Sequence, residues 1–179
     1  MQVGTPFTFC EESGLDPEIR ARVLALAQRD ELEVFADPAA SPTGFPFKLA
    51  LVEGTLADPA VYETRPRLCD LGYLRSAYRT EDGRVAFRCP GEPVDDYVRK
   101  GGDAEDTRGR QCLCNGRVVN LGLGQVREGG YHEPPILTSG EDLSVVRPYL
   151  RAGGGGYDAA DVVHRLCAGI PDPLEGMPA

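Results

Sequence analysis

The chain has 179 residues, enough for one domain with a sizeable core, but fewer than the about 200 to 250 that a complete eight-fold β/α barrel needs. Its 28 acidic and 19 basic residues give a formal net charge of −9, and no basic stripe is present, which argues against a nucleic-acid partner and against an anionic membrane surface. No apolar run approaches the about 20 residues that span a bilayer. No secretory leader precedes the first element, so we expect a cytoplasmic protein with free thiols.

The first third of the chain predicts one helix between extended segments. Residues 2–5 have the composition of a strand end. Asp16 is a suitable N-cap and Pro17 a suitable first helical residue. Residues 31–35 predict a short strand, residues 47–52 are apolar and extended, and a turn-rich loop lies between them. The face that the helix should bury consists of Ile19, Val23, Leu24, Leu26 and Ala27.

The middle of the chain predicts short elements joined by long connections. Residues 56–64 favour one short helix, and residues 77–89 favour a hairpin with its turn at 81–83. Residues 93–99 predict a helix that puts Val94, Tyr97 and Val98 on one side. Residues 106–121 predict another, weakened by two glycines.

The last part of the chain predicts a flexible linker and a capped helix. Residues 142–150 are compatible with a helix, and residues 153–156 form a glycine-rich linker. Asp158 and Asp161 have the spacing of a capping box at the start of the last helix. We expect that helix to bury Val162, Val163, Leu166 and Cys167 and to end at Gly169.

Four of the six cysteines raise the question of a metal site. Cys112 and Cys114 are two residues apart, and Cys69 and Cys89 lie upstream. Four thiolates can hold zinc or an iron–sulfur cluster, but the usual zinc pattern has a close pair at both ends. The spacing therefore favours buried free thiols over a metal site or a redox disulfide, and all three interpretations stay open.

The two histidines and the acidic pairs give weaker indications. His132 stands in a loop beside Glu133, where it can act as a base, although no nucleophile or orienting group is evident. The position of His164 on the last helix favours a structural or surface role. The pairs at 95–96 and 105–106 suit the first turns of helices. Tyr73, Tyr78, Arg75 and Arg79 either cover a ligand or lie on a hairpin surface.

The stretch QVGTPFTFCEESGLDPEIRARVL resembles the last barrel strand, phosphate loop and following helix of the nitronate monooxygenase family, formerly 2-nitropropane dioxygenases, which are FMN-dependent barrels. FADPAASPTGFPFKL is similar to the segment that follows. CDLGYLRSAYRTEDGRVAFRCPGEPVDDYVRKGGD, GRQCLCNGRVVNLGLGQ and EPPILTSGEDL resemble the carboxy-terminal extension of an actinobacterial branch. The resemblance covers most of this chain but only the tail end of a longer family member.

The resemblance implies that Gln2, Gly4 and Thr5 hold the phosphate of FMN. It also implies an α/β fold: a partial TIM-barrel end of the last strand and helix (1–52), an irregular α+β extension (53–152), and a linker with a C-terminal helix (153–179). The glycine-rich segment with the family's catalytic histidine has no counterpart here, so no catalytic residue is carried over.

The expected function is that of the C-terminal part of a flavoprotein that oxidises nitronates with oxygen, inactive alone. Its expected partners are the missing N-terminal barrel portion or another copy of the chain, and a small-molecule substrate. Related enoyl-acyl carrier protein reductases share the phosphate corner, so a fragment of such an enzyme is one alternative. A non-catalytic interaction module is the other.

Overall fold

A computed structural model describes residues 3–151 and 155–168 as an α+β structure. The helices are α1 (Thr5–Thr8), α2 (Pro17–Arg29), α3 (Pro59–Thr64), α4 (Val94–Arg99), α5 (Leu113–Val119) and α6 (Ala159–Cys167). The strands are β1 (Val34–Asp37), β2 (Phe47–Ala50), β3 (Ser76–Arg79) and β4 (Val85–Arg88). Short 3-10 turns lie at Glu11–Ser13, Ala104–Thr107, Glu128–Gly130 and Arg147–Tyr149.

The strands form two separate antiparallel hairpins. In the first, β1 pairs with β2 so that Phe35 faces Leu49. In the second, β3 pairs with β4 so that Tyr78 faces Ala86. The hairpin predicted at residues 77–89 is thereby confirmed. Within the described ranges the strands form no closed barrel and no parallel pair.

Helix α2 forms as its sequence predicts. The Asp16 carboxylate accepts hydrogen bonds from the Glu18 and Ile19 amides, and Pro17 occupies the first turn. The helix ends at Asp30, which adopts a left-handed conformation with a φ of 62°. Four of the five predicted apolar residues are buried, and Leu26 packs against the same core half-buried.

The first core joins the two ends of the described chain. Val23 of α2 and Val162 of α6 are both fully buried in it, as is Tyr157 just before α6. The Tyr157 hydroxyl donates a 2.6 Å hydrogen bond to the Pro6 carbonyl. The last helix therefore packs on the first turns of the chain, while the division at residues 52 and 152 stays a prediction.

The second core lies beneath α5. Leu49, Leu56, Leu113 and Ile136 are its largest buried members. The Gly116 carbonyl accepts a hydrogen bond from the Ile136 amide at 3.1 Å, which fixes α5 against that segment.

Several predicted elements are shorter than expected or differ in kind. Residues 3 and 4 are not in a strand, and Thr5 begins α1 instead; residues 1, 2, 153, 154 and 169 lie outside the described residues. The helix predicted at 106–121 is only α5, because Gly109 has a φ of 70° that interrupts it. The helix predicted at 142–150 is reduced to the turn Arg147–Tyr149.

The predicted inward faces of two helices are partly wrong. In α4, Tyr97 is buried but Val98 is exposed. In α6, Val162 is buried and Leu166 packs on the core, whereas Val163 and Cys167 are exposed. The capping box that starts α6 is confirmed, with Asp158 and Asp161 each bonded to the other's backbone amide.

Among the residues described, no helix combines the length and the apolar character that crossing a membrane requires.

Candidate functional site

A groove of about 820 Å³ opens between α1, the start of β2, the segment before β3, and α5. This size lies within the range of small-molecule sites. Its lining residues include Gly4, Thr8, Phe45, Phe47 and Leu113. Residues that are far apart in sequence thus form one concave surface.

Gly4 is on the groove wall, and its neighbour Thr5 is not. An added Cβ at Gly4 would meet nothing within 4 Å, so the backbone there is open to the groove. The Gly4 carbonyl accepts hydrogen bonds from the Thr8 amide at 3.0 Å and the Thr8 hydroxyl at 3.1 Å. Gln2, the third residue of the predicted phosphate contact, lies outside the described residues.

The Thr5 hydroxyl is engaged with the loop at Gly140. Its oxygen accepts a 3.0 Å hydrogen bond from the Gly140 amide. A side chain at position 140 would collide with it, because a Cβ there would lie 2.6 Å from Thr5 Oγ1. Thr5 therefore positions α1 against the 138–140 segment, and its phosphate contact stays a prediction.

The rim of the groove combines exposed aromatic rings with one cation. Phe45 is 72% exposed and Tyr73 75% exposed, so both rings are free to contact a ligand. Arg117 of α5 lines the groove, and no carboxylate of a described residue lies within ion-pairing distance of it. An aromatic rim beside a free guanidinium suits a flat, anionic molecule.

The tyrosines and arginines predicted to flank a ligand do not act together. Only Tyr73 reaches the groove. Arg88 lies over the Tyr78 ring, 5.0 Å from its centre, and Arg79 donates to the Gly83 carbonyl at 3.2 Å within the hairpin turn. Arg75 turns back onto Cys69.

Both histidines are exposed, and a buried carboxyl lies next to one of them. Glu133 is only 4% exposed, and burial raises its pKa above that of an ordinary carboxyl; Arg65, the Tyr131 hydrogen bond at 3.2 Å and Arg127 oppose that rise. Sequence inspection singled out His132 and passed over Glu133, since an acidic residue in a polar loop gives no sign of burial.

Glu133 faces a small cavity of about 40 Å³ on another side of α5. Asp70, Asn115 and Arg127 also line it. The Asp70 carboxylate accepts a 3.2 Å hydrogen bond from the Asn115 amide and forms an ion pair with Arg127. The cluster links the loop before β3 to the loop after α5, so its evident role is to hold those loops together.

The four cysteines considered for a metal site are divided between two environments. Cys89 and Cys112 are buried, whereas Cys69 and Cys114 are half-buried. Burial raises the pKa of the Cys112 thiol to about 11. Cys112 precedes α5 as its N-cap, so the C-x-C pair is not wholly inside a helix. Within the described part of the chain, no three His, Cys, Asp or Glu side chains are grouped in a way that could hold a metal ion.

Comparisons of the chain with protein-family models, with curated proteins and with solved structures gave no match.

Proposed function

We propose that this chain is the C-terminal part of an FMN-dependent oxidoreductase of the nitronate monooxygenase type, and that the groove is its contribution to the flavin site. One observation carries the proposal. Gly4, which the sequence resemblance assigns to the phosphate of FMN, lies on the wall of the groove of about 820 Å³, together with exposed aromatic rings and Arg117.

The residues of the groove fit the two chemical parts of FMN. Phe45 and Tyr73 offer aromatic faces on which a flat ring can stack. Arg117 offers a permanent positive charge for the phosphate. At Gly4, the missing side chain lets an anion approach the backbone closely. The overall charge of −9 is unfavourable for an anion, so these local groups must provide the attraction.

When bound, the flavin supplies the oxidation of a nitronate with oxygen. The residues of this chain bind the cofactor, orient it and exclude water from one side of it. We assign no catalytic base here. The remaining walls, and the parallel strands of the barrel that residues 1–52 would complete, come in this proposal from a polypeptide carrying the preceding barrel units or from another copy of the chain.

Titration with FMN and with riboflavin tests the phosphate contact. We expect FMN fluorescence to be quenched by the chain at lower concentrations than riboflavin fluorescence, because riboflavin lacks the phosphate. Gly4→Asp places a negative charge on the groove wall where there is space for it, so it should weaken FMN binding and leave riboflavin binding nearly unchanged. Gly4→Ala is the neutral control.

A second pair of variants tests the cation. Arg117→Gln should reduce the preference for FMN over riboflavin, whereas Arg99→Gln, at an exposed arginine of α4 outside the groove, should not. Equal affinity for the two flavins in the wild type, or no quenching either alone or after co-expression with the preceding barrel units, would contradict the proposal.

An enoyl reductase remains the second candidate, because Leu113, Leu121 and Leu137 also line the groove and suit an acyl chain. The flavin-loaded complex separates the two activities. Oxygen uptake with propane-2-nitronate supports the first candidate, and nicotinamide-dependent reduction of an enoyl thioester supports the second. A stable colourless chain that binds another protein and oxidises nothing would favour the interaction module instead.

A further inference from the structure

The chain brings Cys69 and Cys89 side by side. Cys69 lies in the loop before β3, and Cys89 follows directly after β4. Each thiol alters the pKa of the other, which places the two side chains close together. A second contact holds the same two segments together, because Arg67 donates a 3.2 Å hydrogen bond to the carbonyl of Pro90. The two sulfurs are therefore close together because the segments that carry them pack against each other.

The surroundings of the two sulfurs differ. Cys89 is 6% exposed, whereas Cys69 is half-buried and can be reached from solvent. The backbone amide of Cys89 donates to the buried Glu92 carboxylate at 3.3 Å, which fixes its position. The Cys69 sulfur is thus accessible to a small reagent, whereas the Cys89 sulfur is buried.

Arg75 places a positive charge beside the accessible Cys69 sulfur. Its guanidinium Nη2 donates to the Cys69 carbonyl at 2.9 Å and approaches Cys69 Sγ at 3.6 Å. The turn at Gly72 makes this possible: its φ is 65°, and a Cβ there would lie 2.7 Å from the Arg75 side chain. In the sequence Cys-x-x-Gly-x-x-Arg, the turn at the glycine therefore brings the arginine side chain into contact with the cysteine.

These contacts favour a thiolate at Cys69. The hydrogen bond from Cys89, followed by Arg75, lowers the pKa of the Cys69 thiol to about 6, and the same sharing of a proton raises the pKa of Cys89. A thiolate that is accessible and paired with a cation is the reactive form of cysteine. A neighbouring thiol then offers the resolving group that stops further oxidation.

We propose that Cys69 and Cys89 form a reversible redox pair in which Cys69 is oxidised by hydrogen peroxide and Cys89 resolves the product as a disulfide. The Cys69 thiolate attacks one peroxide oxygen, the O–O bond breaks, and a proton completes the departing water, leaving a sulfenic acid. The Cys89 sulfur then bonds to the Cys69 sulfur as its thiol proton leaves with the hydroxyl group as a second water. Two thiols are oxidised and one peroxide is reduced, and an external dithiol reverses the change.

The disulfide would join the two ends of the segment 69–89, which contains Tyr73 and Leu74, and both of these residues line the groove. Oxidation would thus restrict the rim of the groove. The inference does not depend on the identity of the groove's ligand.

Peroxide treatment of the reduced full-length chain tests the pair. The Cys167→Ser background is used, because Cys167 is exposed and can link two chains. We expect one equivalent of hydrogen peroxide to give an intact mass lower by the two hydrogens of one disulfide, and a non-reduced digest to contain the Cys69–Cys89 linked peptide. Dithiothreitol should restore the original mass.

Substitutions at three residues separate the roles. Cys69→Ser should abolish the mass change, whereas Cys89→Ser should leave a sulfenic acid on Cys69 that dimedone traps. Arg75→Gln should make alkylation of Cys69 at pH 6.5 several-fold slower and move the midpoint of its pH profile upward, with Arg75→Lys in between; because Arg75 is exposed, these variants should keep the fold. Cys114→Ser is the control and should still form the linked peptide.

Three results would overturn the proposal. The first is direct conversion of Cys69 to sulfinic acid with Cys89 still free. The second is a linked peptide that joins Cys69 to Cys112. The third is unchanged Cys69 alkylation in Arg75→Gln.

Discussion

At the scale of single residues, Gly116 shows how closely α5 approaches the second core. A Cβ at this position would lie 2.8 Å from Cγ2 and 3.2 Å from Cβ of Ile136, which is fully buried. Neither atom is the end of a flexible chain, so the clash would displace the core. Sequence inspection treated this glycine as a weakness of the helix, because the contact that requires it comes from a segment 20 residues away.

We expect Gly116→Ala to lower the free energy of unfolding by up to about 2 kcal/mol, because overpacking costs about 1–3 kcal/mol and the gain in helix propensity offsets only about 1 kcal/mol of it. Urea unfolding measures the change. Gly4→Ala, where the new Cβ meets nothing within 4 Å, is the control. A stability gain in Gly116→Ala would contradict the packing described.

Glu133 should make stability depend on pH. Burial raises its pKa in the folded state, so between the unfolded and folded pKa values the folded chain binds more protons than the unfolded chain. This contribution to stability is therefore present at low pH and is lost as the pH rises from the ordinary carboxyl value through the raised one. Glu133→Gln removes the ionisation and keeps an oxygen for the Tyr131 hydroxyl.

We expect the free energy of unfolding of Glu133→Gln minus that of the wild type to increase as the pH rises from 4 to 8, so that the variant becomes relatively more stable. Urea unfolding across that range measures the difference. Glu128→Gln, at an exposed carboxyl of the same loop, controls for the loss of one negative charge. A difference that stays constant, or that falls with rising pH, would contradict the burial of an ionisable group at this site.

At the scale of elements, long loops are fixed by arginine side chains that donate to backbone carbonyls. Arg110 is the clearest case, with hydrogen bonds to the carbonyls of Ala39 at 2.9 Å, Ser41 at 2.6 Å and Asp106 at 3.0 Å. Arg67 does the same for Thr107 at 2.7 Å. Only two of the 19 basic residues are lysines, which suits a structure that needs planar, multiply donating side chains.

We expect Arg110→Lys to lower the free energy of unfolding by about 2 kcal/mol, because an ammonium cannot reach all three carbonyls and leaves some of them without a donor. Arg108→Lys, two residues away in an exposed ion pair with Glu105, should change it by less than about 0.5 kcal/mol. Chemical denaturation of both variants makes the comparison. Equal effects would show that Arg110 does not hold the loop.

The cap of α6 is an element that could be read from the sequence and tested directly. Asp158→Ala should lower the free energy of unfolding by about 1 kcal/mol, because it leaves the Asp161 amide without its acceptor. Asp158→Ser should retain most of the stability, since a serine hydroxyl also caps. Thermal unfolding measures both. An equal loss of stability in the two variants would indicate that the Asp158 carboxylate does not stabilise the chain by capping α6.

At the scale of the whole molecule, the described residues form two separate hydrophobic cores, one that includes α2 and α6 and one beneath α5, and the two hairpins are not joined into one continuous sheet. Local signals were sufficient for α2, the second hairpin and α6, because caps, turns and apolar spacing lie within each segment. They failed at residues 106–121, where packing and a left-handed glycine decide the conformation.

The candidate site was only partly predictable for the same reason. Gly4 was predicted through a sequence resemblance, and Tyr73 as one of four residues that either cover a ligand or lie on a hairpin surface. Arg117 and Phe45 were not singled out, because no local pattern shows that α5 and the loop before β2 face α1 across a groove. The partial barrel end stays a prediction that depends on strands supplied from elsewhere.

The proposed flavin site requires that the groove beside Gly4 receives the phosphate of FMN. Chemical-shift mapping of the isotope-labelled chain during separate titrations with FMN and riboflavin tests this contact. We expect FMN to shift the amide signals of residues 4–8 and the Arg117 side chain, and riboflavin to leave these signals largely unmoved, while both flavins shift the rim residues. Shifts confined to other surfaces, or identical responses to the two flavins, would contradict it.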